Sequence, residues 1–304
     1  MAAVTAPRMN AMTWGLLLLL GFIWGGSFFF ARVAVQHIPP FTLVFLRLFL
    51  AALALHVYLH GAHDLYGCLR RRWREFAILG LINNALPHVL IFTGQTQIGA
   101  GLASILNATT PIWTVLVANS FTSDEKLTGQ KLAGCVLGLL GTAVLIGPGA
   151  LARSDIPFWA LALPVLAAIS YGVAATYGKR FRGLPAPVTA AGQLTFSSLM
   201  MLPACLVIDS PWTLPMPPLD VIMAVLGLAL LSTAFAYILF FRIMSLAGAT
   251  NASLVTLVVP PGAILLGAVF LDERLGWGDM AGMALIGAGL IVLNGRLAGG
   301  LRRA

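Results

Sequence analysis

Asp124-Glu125-Lys126-Leu127, followed by Ala133-Gly134 and an apolar run, returns 148 residues later as Asp272-Glu273-Arg274-Leu275, followed by Ala281-Gly282 and another apolar run. Outward from these two stretches the echo extends over whole units: a five-helix hydrophobic pattern across residues 14–147 recurs across 157–297. Five is odd. A unit that crosses a bilayer five times delivers its successor to the opposite side, so the two units are related by a pseudo-two-fold axis lying in the membrane plane. Inverted repeats of this kind build transporters.

Composition supports the membrane reading, since 59% of the residues are hydrophobic and only 9% are charged, with a mean hydropathy of +0.94. A hydrocarbon layer of roughly 30 Å takes about 20 apolar residues per helix. Ten such stretches are present, α1 to α10 in order: 14–35, 41–60, 75–97, 99–120, 128–147, 157–177, 187–208, 219–241, 247–270 and 278–297. The expected fold is therefore an all-α polytopic membrane protein with ten transmembrane helices in two inverted five-helix repeats. The first stretch follows Arg8 as a secretion signal would, but it is too long and carries the polar Trp24-Gly25-Gly26-Ser27 patch, so it reads as a retained helix.

Basic residues flanking short loops stay on the cytoplasmic side. With the N-terminus inside, that side holds Arg8, Arg70, Arg71, Arg72, Arg74, Lys126, Lys131, Lys179, Arg180, Arg182, Arg242, Arg296, Arg302 and Arg303, against Arg32, Arg153 and Arg274 on the other. Both termini are expected in the cytoplasm. The net charge of +8 follows from this asymmetry and from anionic headgroups, and gives no reason to invoke nucleic acid. Cys68, Cys135 and Cys205 are isolated, and the histidines form no metal-ligand spacing, so neither a disulfide framework, a metal nor another cofactor is expected. No nucleophile, phosphate-loop or metalloprotease motif is present, which argues against an enzyme.

All ten acidic residues fall in loops or at helix ends. Coupling to protons or sodium ordinarily uses a carboxylate at mid-membrane. Its lack favours a substrate moving down its own gradient, and disfavours cationic drugs.

Neutral polar residues are doubled instead. Ser104, Asn107 and Pro111 share one face of α4, and Ser253, Thr256 and Pro260 repeat the spacing in α9, 149 residues on. Each proline frees the carbonyl four residues earlier, at Asn107 and Thr256. In lipid such a break is tolerated where it is buried in protein or lines a cavity; packing glue between helices is the other reading. In α3, Asn84 and His88 lie four apart with Gln95 two turns on, answered in α8 by Thr233 and Tyr237. An intramembrane histidine serves either as an interhelical donor or as a cavity group.

Trp24 in α1 corresponds to Tyr171 in α6, and Trp113 follows the α4 proline; each is either an interface-belt residue or part of a pathway wall for flat molecules. Arg47 lies six residues into α2, about 9 Å deep at the usual helical rise. It either snorkels to the outer headgroups or holds a substrate carboxylate or a gate. In α5 and α10 nearly everything is apolar or small, with Gly134, Gly138 and Gly141 against Gly282, Gly287 and Gly289. These helices are expected to pack closely on neighbours, or on a second protomer.

Trp24-Gly25-Gly26-Ser27, Pro39-Pro40 leading to Leu46-Arg47 and Ala51-Ala52, the prolines of α4 and α9, and the doubled Asp-Glu-Lys/Arg-Leu stretch resemble the drug/metabolite transporter superfamily, EamA type, over nearly the whole chain. The resemblance implies a central cavity between α1, α3, α4, α6, α8 and α9 that opens alternately to each side, with α5 and α10 outside. Bacterial members mostly export amino acids and other small metabolites, and the chain is similar to the aromatic amino-acid exporter branch. It lacks the α1 acid of the small multidrug members. The expectation is thus an inner-membrane exporter or facilitator, its cavity lined by Trp24, Asn84, His88, Asn107, Trp113, Tyr171, Tyr237 and Thr256, with Pro111 and Pro260 as bend points and Arg47 as the carboxylate or gate contact.

Overall fold

The computed structural model describes residues 9–61, 64–121, 128–146, 156–270 and 277–293. The stretches 124–127 and 272–275 that mark the repeat lie outside these, as do Arg8, Arg153, Arg296, Arg302 and Arg303. Among the described residues the chain is helical with no strand. Seven helices are long and apolar enough to cross a membrane: α1 (Ala11–Ala34), α2 (Pro40–Tyr58), α3 (Trp73–Gln95), α4 (Ala100–Phe121), α6 (Phe158–Phe181), α7 (Ala186–Ile208) and α8 (Leu219–Ala249). Shorter runs form α5 (Gly129–Ile146), α9 (Val255–Phe270) and α10 (Trp277–Leu293).

Side chains are distributed inside out. Gln95, Asn84, Gln193, Ser197 and Thr233 are fully buried, while Leu18, Phe22, Leu199 and Val207 face outward. That is the arrangement a hydrocarbon solvent selects, because an unpaired polar group facing lipid is costly and an exposed leucine is not.

Helix partners are exchanged between the two units. α1 packs on α9 as α6 packs on α4, α8 packs on α1 as α3 packs on α6, and α2 pairs with α7 and α5 with α10. At the start of α2, Pro39 and Pro40 offer no side-chain cap, and Asp209 at the end of α7 accepts the first-turn Thr42 N–H at 2.6 Å instead.

Local chemistry accounts for the departures from the expected boundaries. The loop after α2 contains a short helix, Leu65–Arg71, started by Asp64, whose carboxylate accepts from Gly67 N (3.1 Å) and Arg71 (2.8 Å); that contact also holds the Asp64 carboxyl below its usual range. α4 is interrupted after Asn107, and the carbonyl there is taken by the Thr110 hydroxyl at 2.6 Å. α8 extends past 241 until Gly248 turns the chain at φ +86°, a conformation glycine adopts at little cost. Pro260 lies inside the run Val255–Phe270, and the interruption in this part of the chain falls at Leu254 instead.

Both α3 and α8 widen into π-helix, over Leu81–Ala85 and Gly227–Phe235. The two stretches overlap at the 149-residue offset, so the deviation is itself repeated.

Gly141 of α5 and Gly289 of α10 each face the partner helix. A Cβ on Gly289 would stand 2.7 Å from Gly138 N and 2.8 Å from Gly134 O, whereas one on Gly287 would meet nothing within 4 Å. Gly289→Ala is therefore expected to lower the unfolding temperature of the purified protein, with a loss of about 1–3 kcal/mol for backbone that cannot give way. Gly287→Ala should leave it unchanged or raise it through the unfolded chain.

Candidate functional site

α1, α2, α3, α4, α6, α8 and the start of α9 enclose one cavity of about 740 Å³ of atom-free space, its open mouth included. α1 contributes Trp24, Ser27 and Phe28; α3 contributes Asn83, His88, Phe92 and Gln95; α4 contributes Asn107; α6 contributes Tyr171; α8 contributes Tyr237 and Phe240; and Thr256 comes from α9. The resemblance implied six helices, and α2 adds a seventh through Arg47.

Arg47 does not snorkel. Its side chain is 5% exposed and turns toward α8, where Nε donates to Thr233 Oγ1 at 2.7 Å and Nη2 approaches the Ser232 carbonyl at 3.5 Å. Its guanidinium carbon lies 5.6 Å from the centre of the Phe92 ring. Among the described residues no carboxylate is within ion-pair distance of it, and none lines the cavity. A buried guanidinium without a counter-charge is a costly arrangement that an incoming anion relieves.

The π stretches supply the second lone pairs that tie the units together. Ser232 O accepts from Trp24 Nε1 at 3.2 Å as well as from Arg47, and Ser232 Oγ donates to Ile23 O. In return Ile82 O accepts from Ser170 Oγ at 2.6 Å, and Asn83 O accepts from Tyr237 OH at 3.2 Å. Each unit holds the other by carbonyls of its own π stretch.

The same geometry explains which expected residues reach the cavity. Trp24, His88, Asn107, Tyr171, Tyr237, Thr256 and Arg47 line it. Asn84 does not: a regular helix would set Asn84 and His88 on one face, but in the π stretch the turn is wider, with hydrogen bonds closing over five residues, and Asn83 takes the wall. Asn84 stands behind it and accepts from Tyr237 OH at 2.5 Å. Trp113 also lies off the cavity, bonded through Nε1 to Thr109, with its backbone against Gly172. Pro111 and Pro260 are buried and contribute no lining. Phe92 and Phe240 were not singled out from the sequence, because in so apolar a chain nothing distinguishes a cavity phenylalanine from a lipid-facing one. Asn83 could have been found only by anticipating the π stretch.

At one end of the bundle the units are clasped. Arg72 pairs with Glu75, donates to Arg180 O at 2.9 Å, and lies over the Phe181 ring at 4.8 Å, while Phe76 packs on Phe181 with centroids 4.9 Å apart. This places the basic segments 70–74 and 179–182 together.

A helical membrane protein with a ring-lined, mainly apolar cavity that carries a few polar groups between two mutually braced units is built as a transporter. The EamA-like transporter family model matches it twice, over residues 12–147 and 158–295, and the chain belongs to that family. It is similar to the uncharacterized transporter YoaV of Bacillus subtilis, at 25% identity over 89% of this chain and 92% of that one. It is also similar to the uncharacterized inner membrane transporter YedA of Escherichia coli K12, at 28% over 86% and 83%. A probable terminal-alkyne amino-acid exporter of Streptantibioticus cattleyicolor matches at 26% over 98% of each chain. One solved crystal structure superposes with a TM-score of 0.74 at 20% identity, covering 93% of this chain and 96% of the other, a likeness of fold alone.

Tyr237→Phe keeps the ring contacts with Trp24 and Phe240 but strands the buried Asn84 oxygen. It is expected to cost about 1–3 kcal/mol of stability, read as a lowered thermal midpoint of the purified protein. An unchanged midpoint would mean the Tyr237 to Asn84 bond carries no weight.

Proposed function

We propose that this protein is an alternating-access exporter of neutral amino acids, aromatic ones among them, and of related small metabolites, working by facilitated diffusion through the central cavity. The observation that carries this reading is the buried Arg47 guanidinium, which has no carboxylate partner among the described residues and stands in the wall of a cavity otherwise lined by rings, neutral polar groups and aliphatic side chains such as Ile91, Val255 and Val259. One fixed positive charge suits one carboxylate, held in the planar, two-point manner of arginine. Trp24, Tyr237 and Phe240, packed edge to face and tilted, give an apolar side chain flat surfaces to lie on.

In this reading the chain crosses a bacterial inner membrane ten times, with units 14–147 and 157–297 inverted and both termini in the cytoplasm. The exchanged helix pairings and the paired π stretches support the inverted repeat, and the clustering of 70–74 with 179–182 supports a common cytoplasmic end. The clasp of Arg72, Phe76 and Phe181 is then the closed inner gate. Any self-association of α5 and α10 would use their outer faces, such as Leu132, Val136 and Leu140, because Gly141 and Gly289 are already packed between the two helices.

A sugar-phosphate or nucleotide-sugar exchanger of the same fold is the second reading. It would want several cations around a phosphate, and Arg47 is the only lysine or arginine in the described lining. A proton-coupled drug exporter would want an acid there.

Uptake of labelled amino acids into liposomes holding the purified protein tests the proposal. Flux led by aromatic or other neutral amino acids, unchanged when a pH gradient is imposed or collapsed, is expected. His88→Ala, which removes a ring set against Phe92 and Tyr171, should cut that flux several-fold with folded yield retained. Flux that disappears with the proton gradient would overturn facilitated diffusion, and flux of phosphorylated sugars alone would overturn the amino-acid cargo.

A further inference from the structure

Most hydrogen-bonding groups in the cavity wall are already spent. The Trp24 indole donates to Ser232 O, and the single Tyr237 hydroxyl proton is shared between Asn84 Oδ1 and Asn83 O. Beside the ring nitrogen His88 Nδ1, two amide oxygens remain: Gln95 Oε1 and Asn107 Oδ1 are buried and have no partner. Gln95 is fully buried and Asn107 is 5% exposed, and both line the cavity. The direction of the Gln95 amide is settled by its neighbour, because only its nitrogen can donate to the Phe28 carbonyl, which it does at 3.2 Å. Its oxygen is therefore the end left over. The residue is held from behind as well, since Arg32 Nη1 donates to the Gln95 backbone carbonyl at 2.5 Å.

We propose that Gln95, with Asn107, is the specificity-determining acceptor pair that receives the ammonium group of a zwitterionic substrate whose carboxylate is held by Arg47. This rests on the amino-acid reading of the cavity and deepens it. An ammonium carries three donors and no acceptor, which is the complement of two stranded carbonyl oxygens. Their neutrality is the selective element. A carboxylate in place of either amide would cancel Arg47 and admit simple amines; with neutral acceptors the wall keeps its positive charge, so an amine without a carboxylate is repelled. A carboxylate without an ammonium satisfies Arg47 but leaves the two buried acceptors as unpaired as they are in the empty cavity, so it forgoes the bonds that a zwitterion gains there. Only a substrate bearing both groups satisfies Arg47 and the two amide oxygens together.

The test is competition against labelled phenylalanine flux in liposomes, with 3-phenylpropionate, which lacks the ammonium, and 2-phenylethylamine, which lacks the carboxylate. For the unaltered protein 3-phenylpropionate should compete about tenfold more weakly than unlabelled phenylalanine, and 2-phenylethylamine should not compete. In Gln95→Leu phenylalanine should weaken about tenfold while 3-phenylpropionate holds its potency, so the two converge; Asn107→Leu should do the same. Gln95→Glu, close in shape, should bring in competition by 2-phenylethylamine. A flux-competent Gln95→Leu that keeps the original ratio, or that weakens both competitors equally, overturns the proposal. Should Gln95→Leu fail to fold, Gln95→Glu decides: continued indifference to 2-phenylethylamine overturns it. If the unaltered protein moves no amino acid, the cargo reading falls first and this proposal with it. Amino-acid flux without discrimination against 3-phenylpropionate overturns this proposal alone.

Discussion

A guanidinium buried in the middle of an apolar bundle has to be held from somewhere, and Arg47 is held across the junction of the two units. Its side chain leaves α2, rests on the Phe92 ring of α3, and reaches the Thr233 hydroxyl and Ser232 carbonyl of α8. Thr233 passes the bond on to Leu228 O at 2.7 Å. Because the indole of Trp24 ends on the same Ser232 carbonyl, one backbone atom of the second unit receives the main charged and the main aromatic group that the first unit sends into the cavity. Displacement of Arg47 by a substrate carboxylate would therefore act on a bond between units, which is where an alternating-access cycle has to be driven.

The π stretches make this bracing possible. A regular helix in lipid has few carbonyls to spare, since each is occupied within the helix. Widening α3 and α8 at matching positions turns carbonyls sideways without exposing them to lipid, and each is met by a side chain from the opposite unit. The arrangement is paired but not identical. The residue aligned with Arg47 in the second unit is Leu194, so only one half of the cavity bears the charge. A duplicated scaffold thus carries a single polarity for its substrate.

Much of the fold was legible because membrane helices are written in long apolar runs, and about twenty such residues in a row match the thickness of a bilayer and little else. The boundaries that failed did so where short-range chemistry prevailed: Asp64 starting a helix inside a loop, α8 running on until Gly248 turns the chain, and the Thr110 hydroxyl tidying the interruption before Pro111. The cavity was legible wherever the helix kept its 3.6-residue period. Trp24, His88, Asn107, Tyr171, Tyr237 and Thr256 lie on its wall as spaced. Asn84 moved off that wall through the π stretch, for which no composition rule gives warning. Trp113 moved off it because Gly172 brings α6 so close that it meets the Trp113 backbone. The state of Arg47 was open in the sequence, where depth alone permits either headgroups or cavity; the Thr233 partner on a distant helix decides it.

The most direct measurement is equilibrium binding of phenylalanine and of its carboxamide to the purified protein and to Arg47→Gln. If Arg47 is the carboxylate contact, the unaltered protein should favour phenylalanine over the amide by about tenfold or more, the size of a charge-assisted hydrogen bond. Arg47→Gln should bind the two alike. A preference for the carboxylate that survives in Arg47→Gln would contradict the account and return Arg47 to a bracing role between the two units.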